Sequence, residues 1–246
     1  MNKNFAKVQL SAEEMRLVTD PAWILTKNSV MGKVVGMFAG LSERVREGAT
    51  DIRSGSSVRE DGGILRLPPR TSLGADRRAP GSGGPEKEPK ISRGENYKGL
   101  PWVMLDYPRV FGKEDVYAIR TFFLWGHAFS VTLHLKGEYM RAFLPGIMAR
   151  RAELEAAGFR MGISDDEWAH EHTEETYGPL RAGHERPWVK LSARVGLEHW
   201  DEAPEKLLAL HQLLMDVSYP AGERDPSPGS STAGSGPSPH PYPRNR

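Results

Sequence analysis

The sequence predicts an α+β fold: a mainly antiparallel sheet of four or five strands packed by N- and C-terminal helices, with a disordered insertion and a disordered C-terminal tail. Three observations predict it. Apolar and polar residues alternate through 116–136 and 188–197, the period of strands. Apolar residues recur at three- and four-residue steps through 30–45 and 203–217, the period of amphipathic helices. In two stretches, about 49–88 and after 218, both periods collapse into Gly, Pro, Ser and mixed charge, which cannot bury enough surface to offset the entropy of ordering. One domain is therefore expected over 8–218, interrupted at about 49–88, with a tail over 219–246.

Ser11 and Glu14 form an S-x-x-E capping box, which opens a short first helix. Asp20-Pro21 pairs a cap with a favoured first helical residue and opens a second helix through about Val45. Val30, Val34, Phe38, Leu41 and Val45 form its apolar stripe. Gly32, Gly36 and Gly40 share one side of it, each costing about 1 kcal/mol relative to Ala. Close packing on a neighbouring element accounts for them, and a homodimer seam is the alternative.

After the insertion, "KISRGENYKG" reads as a loop without the spacing of a phosphate-binding turn. "LPWVMLDYP" reads as a strand ending at Pro108, and "VYAIRTFFLW" and "AFSVTLHLK" as two more. Pro145 is expected to open a helix closed by Gly158 in a left-handed cap. "FRMGI" reads as a short strand, and Ser164 with Glu167 as a second capping box for a helix through Tyr177. "PWVKLSARVGL" is a further strand. "APEKLLALHQLLMDV" is the last helix, with His211 beside Leu207 and Leu214 at the core edge.

Gly126-His127 suits a two-residue hairpin turn. Strict pairing about it sets Trp125 opposite Ala128, Phe123 opposite Ser130, Thr121 opposite Thr132, Ile119 opposite His134 and Tyr117 opposite Lys136. The other face is nearly all apolar, with Arg120 as its only charge, and is the expected core side. His127 falls at the exposed turn tip. If strand 188–197 joins the same sheet, one face gathers Tyr117, Thr121, Trp125, Thr132, His134, Lys190 and Arg194. That mix of aromatics, hydroxyls, an imidazole and cations is the candidate ligand-binding set. A solvated or half-covered sheet face uses the same residue types.

"DDEWAHEHTEE" offers a metal alternative. On a helix Glu167, His170, Glu171 and Glu174 share a side, and Glu167-x-x-His170 has the spacing of carboxylate-bridged metal bundles. No second Glu-x-x-His occurs, so a solvated acidic face is favoured and no metal or cofactor is expected.

The 246-residue chain carries a net charge of +1, which gives no global case for nucleic acid or anionic membrane. It has no cysteine, which excludes disulfides and thiolate chemistry. "VMGKVVGMFAGL" is shorter than the roughly 20 residues of a membrane span. A cytoplasmic location is expected. The blocks "PKISRGENYKGLPWVMLDYPRVFG" and "AIRTFFLWGHAFSVTLHLKG" resemble an uncharacterised bacterial family of single-domain proteins, over about 8–217 without the insertion. The resemblance implies no activity, cofactor or catalytic residue. The expected function is non-enzymatic binding of a small ligand or a protein partner through the mixed sheet face. The alternatives are a hydrolytic enzyme using His134 as general base or a Glu167/His170 metal cluster, and a structural homodimer.

Overall fold

The computed structural model of the protein describes residues 8–54, 87–181 and 186–218, with side-chain surroundings for all of these except 49–54. The expected tail, 219–246, lies outside the described residues. So does the expected insertion over 55–86, whereas 49–54 are helical.

Helix α1 (Ala12–Val18) has the expected capping box. Ser11 Oγ accepts the Glu14 N–H at 3.2 Å, and the Glu14 carboxylate accepts the Ser11 N–H at 2.7 Å. Helix α2 (Pro21–Ser54) starts where Asp20 accepts the Ala22 N–H at 2.9 Å. It buries Met31, Val34, Phe38, Leu41 and Val45. Each such side chain contributes roughly 1.5–3 kcal/mol. The three glycines correct one expectation: they face away from this core, and a Cβ added to any of them would meet nothing within 4 Å.

The sheet has seven strands, two or three more than expected: β1 (Lys90–Tyr97), β2 (Leu100–Phe111), β3 (Val116–Leu124), β4 (Ala128–Lys136), β5 (Arg160–Gly162), β6 (Tyr177–Gly178) and β7 (Trp188–Gly196). Their order is β1-β2-β3-β4-β7-β5-β6, every pair antiparallel. β1 replaces the expected loop. Lys98 and Gly99, with φ of 52° and 84°, make the tight turn into β2. Gly94 sits opposite Trp102, whose ring covers it. β2 continues past Pro108 because the register shifts between Asp106 and Arg109 around a cis Tyr107–Pro108 bond, a place where proline is tolerated.

Helix α3 (Gly137–Ala149) starts earlier than Pro145, which sits exposed inside it. Its first turn is tied to Asp115, whose carboxylate accepts the Glu138 N–H at 2.7 Å. Helix α4 (Arg151–Ala156) ends at Gly158 with φ 84°, as expected. A 3-10 turn (Leu197–Glu202) leads into α5 (Ala203–Ser218). Helices α2, α3 and α5 cover one sheet face, and the core lies between them and Val103, Leu105, Ile119, Phe123, Phe129, Val131, Leu133, Leu191 and Val195. His211 is buried in this core rather than at its edge, with neither ring nitrogen hydrogen-bonded.

Two local expectations fail together around the other face. The helix expected over 164–177 is an irregular loop. Ser164 Oγ accepts the Asp166 N–H at 3.1 Å and the Asp166 carboxylate accepts the Trp168 N–H at 2.8 Å, so these side chains close turns instead of capping a helix. The β3–β4 turn is a three-residue loop, with Gly126 at φ 73° and the His127 N–H donated to the Leu124 carbonyl at 3.1 Å. Phe123 therefore faces Phe129, Arg120 faces Thr132 and Ala118 faces His134. That one-residue slip exchanges the faces of β3.

Candidate functional site

The slip separates the predicted site residues. Thr132, His134, Lys190 and Arg194 share the face opposite the helices, paired as Thr132 with Ser192, His134 with Lys190, and Ser130 with Arg194. Tyr117 and Thr121 turn to the core side, where Tyr117 stacks on Tyr139 at 5.5 Å. Trp125 lies in the turn, half-buried against the core, and donates its backbone N–H to the Pro101 carbonyl at 3.0 Å. Their place on the polar face is taken by Ala118, Arg120 and Phe122.

The physical reason is Arg120. In the expected register it would enter an apolar core without a partner, at a cost of several kcal/mol. In the observed one it faces Asp106 of β2, to which it donates two hydrogen bonds at 2.7 and 3.0 Å. A lone charge on the predicted core face was the signal that pointed to this shift. Tyr97, Asp106, Arg120, His172 and Tyr177 also belong to the site and were missed. Tyr97 lay in the supposed loop, and the rest depend on contacts between strands and a loop distant in sequence.

Residues 163–176 lie over this face. Lys190 Nζ donates to the Ala169 carbonyl at 2.6 Å. Tyr97 Oη accepts the His170 N–H at 2.9 Å and donates to the Glu171 carboxylate at 3.0 Å, and Lys98 pairs with the same carboxylate. Lys136 pairs with Glu167 at 3.4 Å. The Trp168 ring meets His134 edge-on at 5.1 Å, and His172 stacks on Tyr177 at 4.2 Å. Under this cover Thr132 and Ser192 share a hydrogen bond at 2.8 Å.

Arg120 Nη1 also reaches His170 Nε2 at 3.0 Å. A guanidinium only donates, so that nitrogen accepts and His170 is neutral with its proton on Nδ1. Burial, with Lys190 and Arg120 nearby, holds His170 down to about 2. Burial does the same to His134, to about 3, with Lys190, Arg120 and Lys136 adding to it, and to His172, to about 4. Burial raises Tyr97 to about 12 and raises Tyr177 as well. Lys190, 3% exposed, is brought down to about 8, first by burial and then by Arg120. Among the described residues it forms no ion pair.

There is space beneath the loop. A cleft of about 70 Å³ is lined by Phe122, His127, Ser130, His170, Glu171, His172 and Arg194, among others. A void of about 10 Å³ lies among Phe111, Ala118, Arg120, Thr132, His134, His170 and Lys190. His170 borders both. His134 Nε2 is buried with no hydrogen-bond partner.

The metal alternative does not assemble. Without the helix, Glu167 pairs with Lys136, His170 with Arg120, Glu171 with Tyr97 and Lys98, and Glu174 is exposed. Among the described residues no three His, Asp or Glu side chains are placed to hold a metal ion. A general base works best titrating near the operating pH, and His134 is held far below neutrality. Among the described residues no helix is long and apolar enough to cross a membrane. No protein-family model, curated protein or solved structure matches the chain.

Proposed function

We propose that this is a cytoplasmic, non-enzymatic protein that binds a small anion on the polar sheet face, beneath the loop of residues 163–176. One observation carries the reading: Lys190 is a buried ammonium whose hydrogen bond goes to a carbonyl and not to a carboxylate. Taking a cation out of water costs several kcal/mol unless an opposite charge compensates it. Arg120 is already matched by Asp106, and Lys136 by Glu167. An anion seated beside Lys190 and the unpartnered His134 nitrogen supplies the missing charge.

The space that Lys190 and His134 both border is about 10 Å³, and the neighbouring cleft of about 70 Å³ is lined by neither. Both are far below the roughly 300–1,000 Å³ of sites for ordinary metabolites, so the anion is a small one, a short carboxylate or an inorganic oxyanion, and the loop must shift to seat it. The loop is joined to the face by polar contacts from Lys190, Tyr97, Lys98 and Lys136 and by ring contacts of Trp168, His170 and His172, and these must rearrange to admit such a ligand. Thermal shift against a panel of small carboxylates and oxyanions tests the reading. At least one should raise the melting temperature of the wild type and leave Lys190→Met unmoved. A panel without effect on the wild type overturns it.

A further inference from the structure

The N-terminal arm of the chain is helical without being packed. Helix α1 buries none of its residues, and α2 buries none over 21–30, so that Met31 is the first buried side chain among the described residues. A helix as short as α1 is marginal in water unless tertiary packing supports it. Of the ten large hydrophobic side chains exposed among the described residues, seven lie within 8–25, so the exposure is concentrated on this arm and not scattered. Val18 is 70% exposed, Leu25 63% and Trp23 51%.

The charges of the arm are matched within the chain. Arg16 pairs with Glu13 at 2.6 Å and Lys27 with Glu95 of β1 at 2.6 Å, while Glu14 closes the cap of α1 and Asp20 that of α2. A surface that docks here meets apolar side chains and no uncompensated charge. Helices that lie on anionic membranes carry Lys and Arg along their polar face, whereas this one sets Glu13, Glu14 and Asp20 among its apolar residues. The surface of like chemistry is the same arm on a second copy. The hydrophobic side chains exposed over 8–25 present several hundred Å², the scale of the roughly 800 Å² that each partner gives to a standard interface.

We propose that the protein forms a twofold homodimer in which the arm of residues 8–30 packs on the same arm of a second copy, covering α1 and the start of α2 in both. A twofold contact presents one patch from both sides, so it must be complementary to itself. An apolar arm whose charges are already paired meets that condition. Gly32, Gly36 and Gly40 lie farther along α2 and take no part.

Light scattering on the full chain, eluted from a sizing column at several concentrations, should give twice the chain mass. Val18→Asp with Leu25→Asp should elute as a monomer that still unfolds cooperatively, since neither side chain belongs to the core. Gly36→Leu, where an added Cβ meets nothing within 4 Å, should remain a dimer. The chain has no cysteine, so Ala22→Cys carries a single thiol. It should give a disulfide-linked dimer on mild oxidation, and Arg151→Cys on α4 should not. A wild type of single-chain mass at every concentration overturns the proposal; if that monomer floats with phosphatidylcholine–phosphatidylserine vesicles, the arm serves a lipid surface instead. A dimer that survives the two aspartates overturns it as well, as does linkage through Arg151→Cys in place of Ala22→Cys. Loss of the dimer in Gly36→Leu alone would move the seam to the glycine face and reject the arm.

Discussion

Lys190→Met isolates the energetic cost on which the proposed site rests. Burial, with Arg120 alongside, takes the lysine from 10.5 to about 8. At about 1.4 kcal/mol for each tenfold change, the folded protein carries about 3 kcal/mol of penalty for keeping this group charged. Methionine follows much of the same path without a charge. It leaves the Ala169 carbonyl without its donor, a loss of about 1 kcal/mol. The variant should therefore be more stable than wild type by about 2 kcal/mol at pH 7 in anion-free buffer. The sign with pH follows from the direction of the shift. Below about 8 both folded and unfolded lysine are protonated and the whole penalty is present. Between about 8 and 10.5 only the unfolded chain keeps the proton, so wild-type stability from this group rises with pH and the variant's advantage fades. Urea denaturation followed by circular dichroism at pH 7, 8, 9 and 10 measures it. A variant less stable than wild type at pH 7, or an advantage indifferent to pH, would refute the reasoning.

Replacing the buried His211 by Leu removes two unpartnered ring nitrogens at nearly constant volume and should stabilise by roughly 2 kcal/mol at pH 7.5. Burial holds His211 down to about 3, so between 6.5 and 3 only the unfolded chain takes up the proton; wild-type stability falls as pH falls across that interval, and the variant's advantage in denaturant titrations should grow with it. Asp106→Asn strands Arg120 and should cost about 3–5 kcal/mol, whereas Asp106→Leu with Arg120→Met should cost much less than the sum of the single changes, as a double-mutant cycle by chemical denaturation would record. Gly94→Val places a Cβ 2.6 Å from the Trp102 ring and should lower stability by about 1–3 kcal/mol, with a changed near-ultraviolet signal from that tryptophan.

What could be read from the sequence was what depends on neighbours along the chain. Helix α1 is set by Ser11 and Glu14, three residues apart, and the core stripe of α2 by steps of three and four. Alternation within β4 and β7 is equally local, so Thr132, His134, Lys190 and Arg194 were placed on one face correctly. Relating β3 to β4 passes through the turn, and one residue more in that loop moved Tyr117 and Thr121 to the core and brought Arg120 out. The loop of 163–176 was misread for a related reason. Ser164 and Glu167 satisfy the helix signature, but Ser164 and Asp166 spend their oxygens on turns. Glu167 and His170 find partners in Lys136 and Arg120, which lie far away in the chain. β1 was hidden because Gly94 is a poor strand residue until the Trp102 ring covers it.

β4 and β7 are adjacent in the sheet and paired from Ala128–Gly196 to Lys136–Trp188, yet the intervening chain supplies both α3 on one side and the 163–176 cover on the other. The roof and α3 thus come from a single excursion whose two ends, β4 and β7, lie side by side as part of the floor. The rungs between β4 and β7 need not break for the roof to rise, and its length or composition can change without disturbing them. A protein built this way can alter what it admits by editing one loop while keeping its frame.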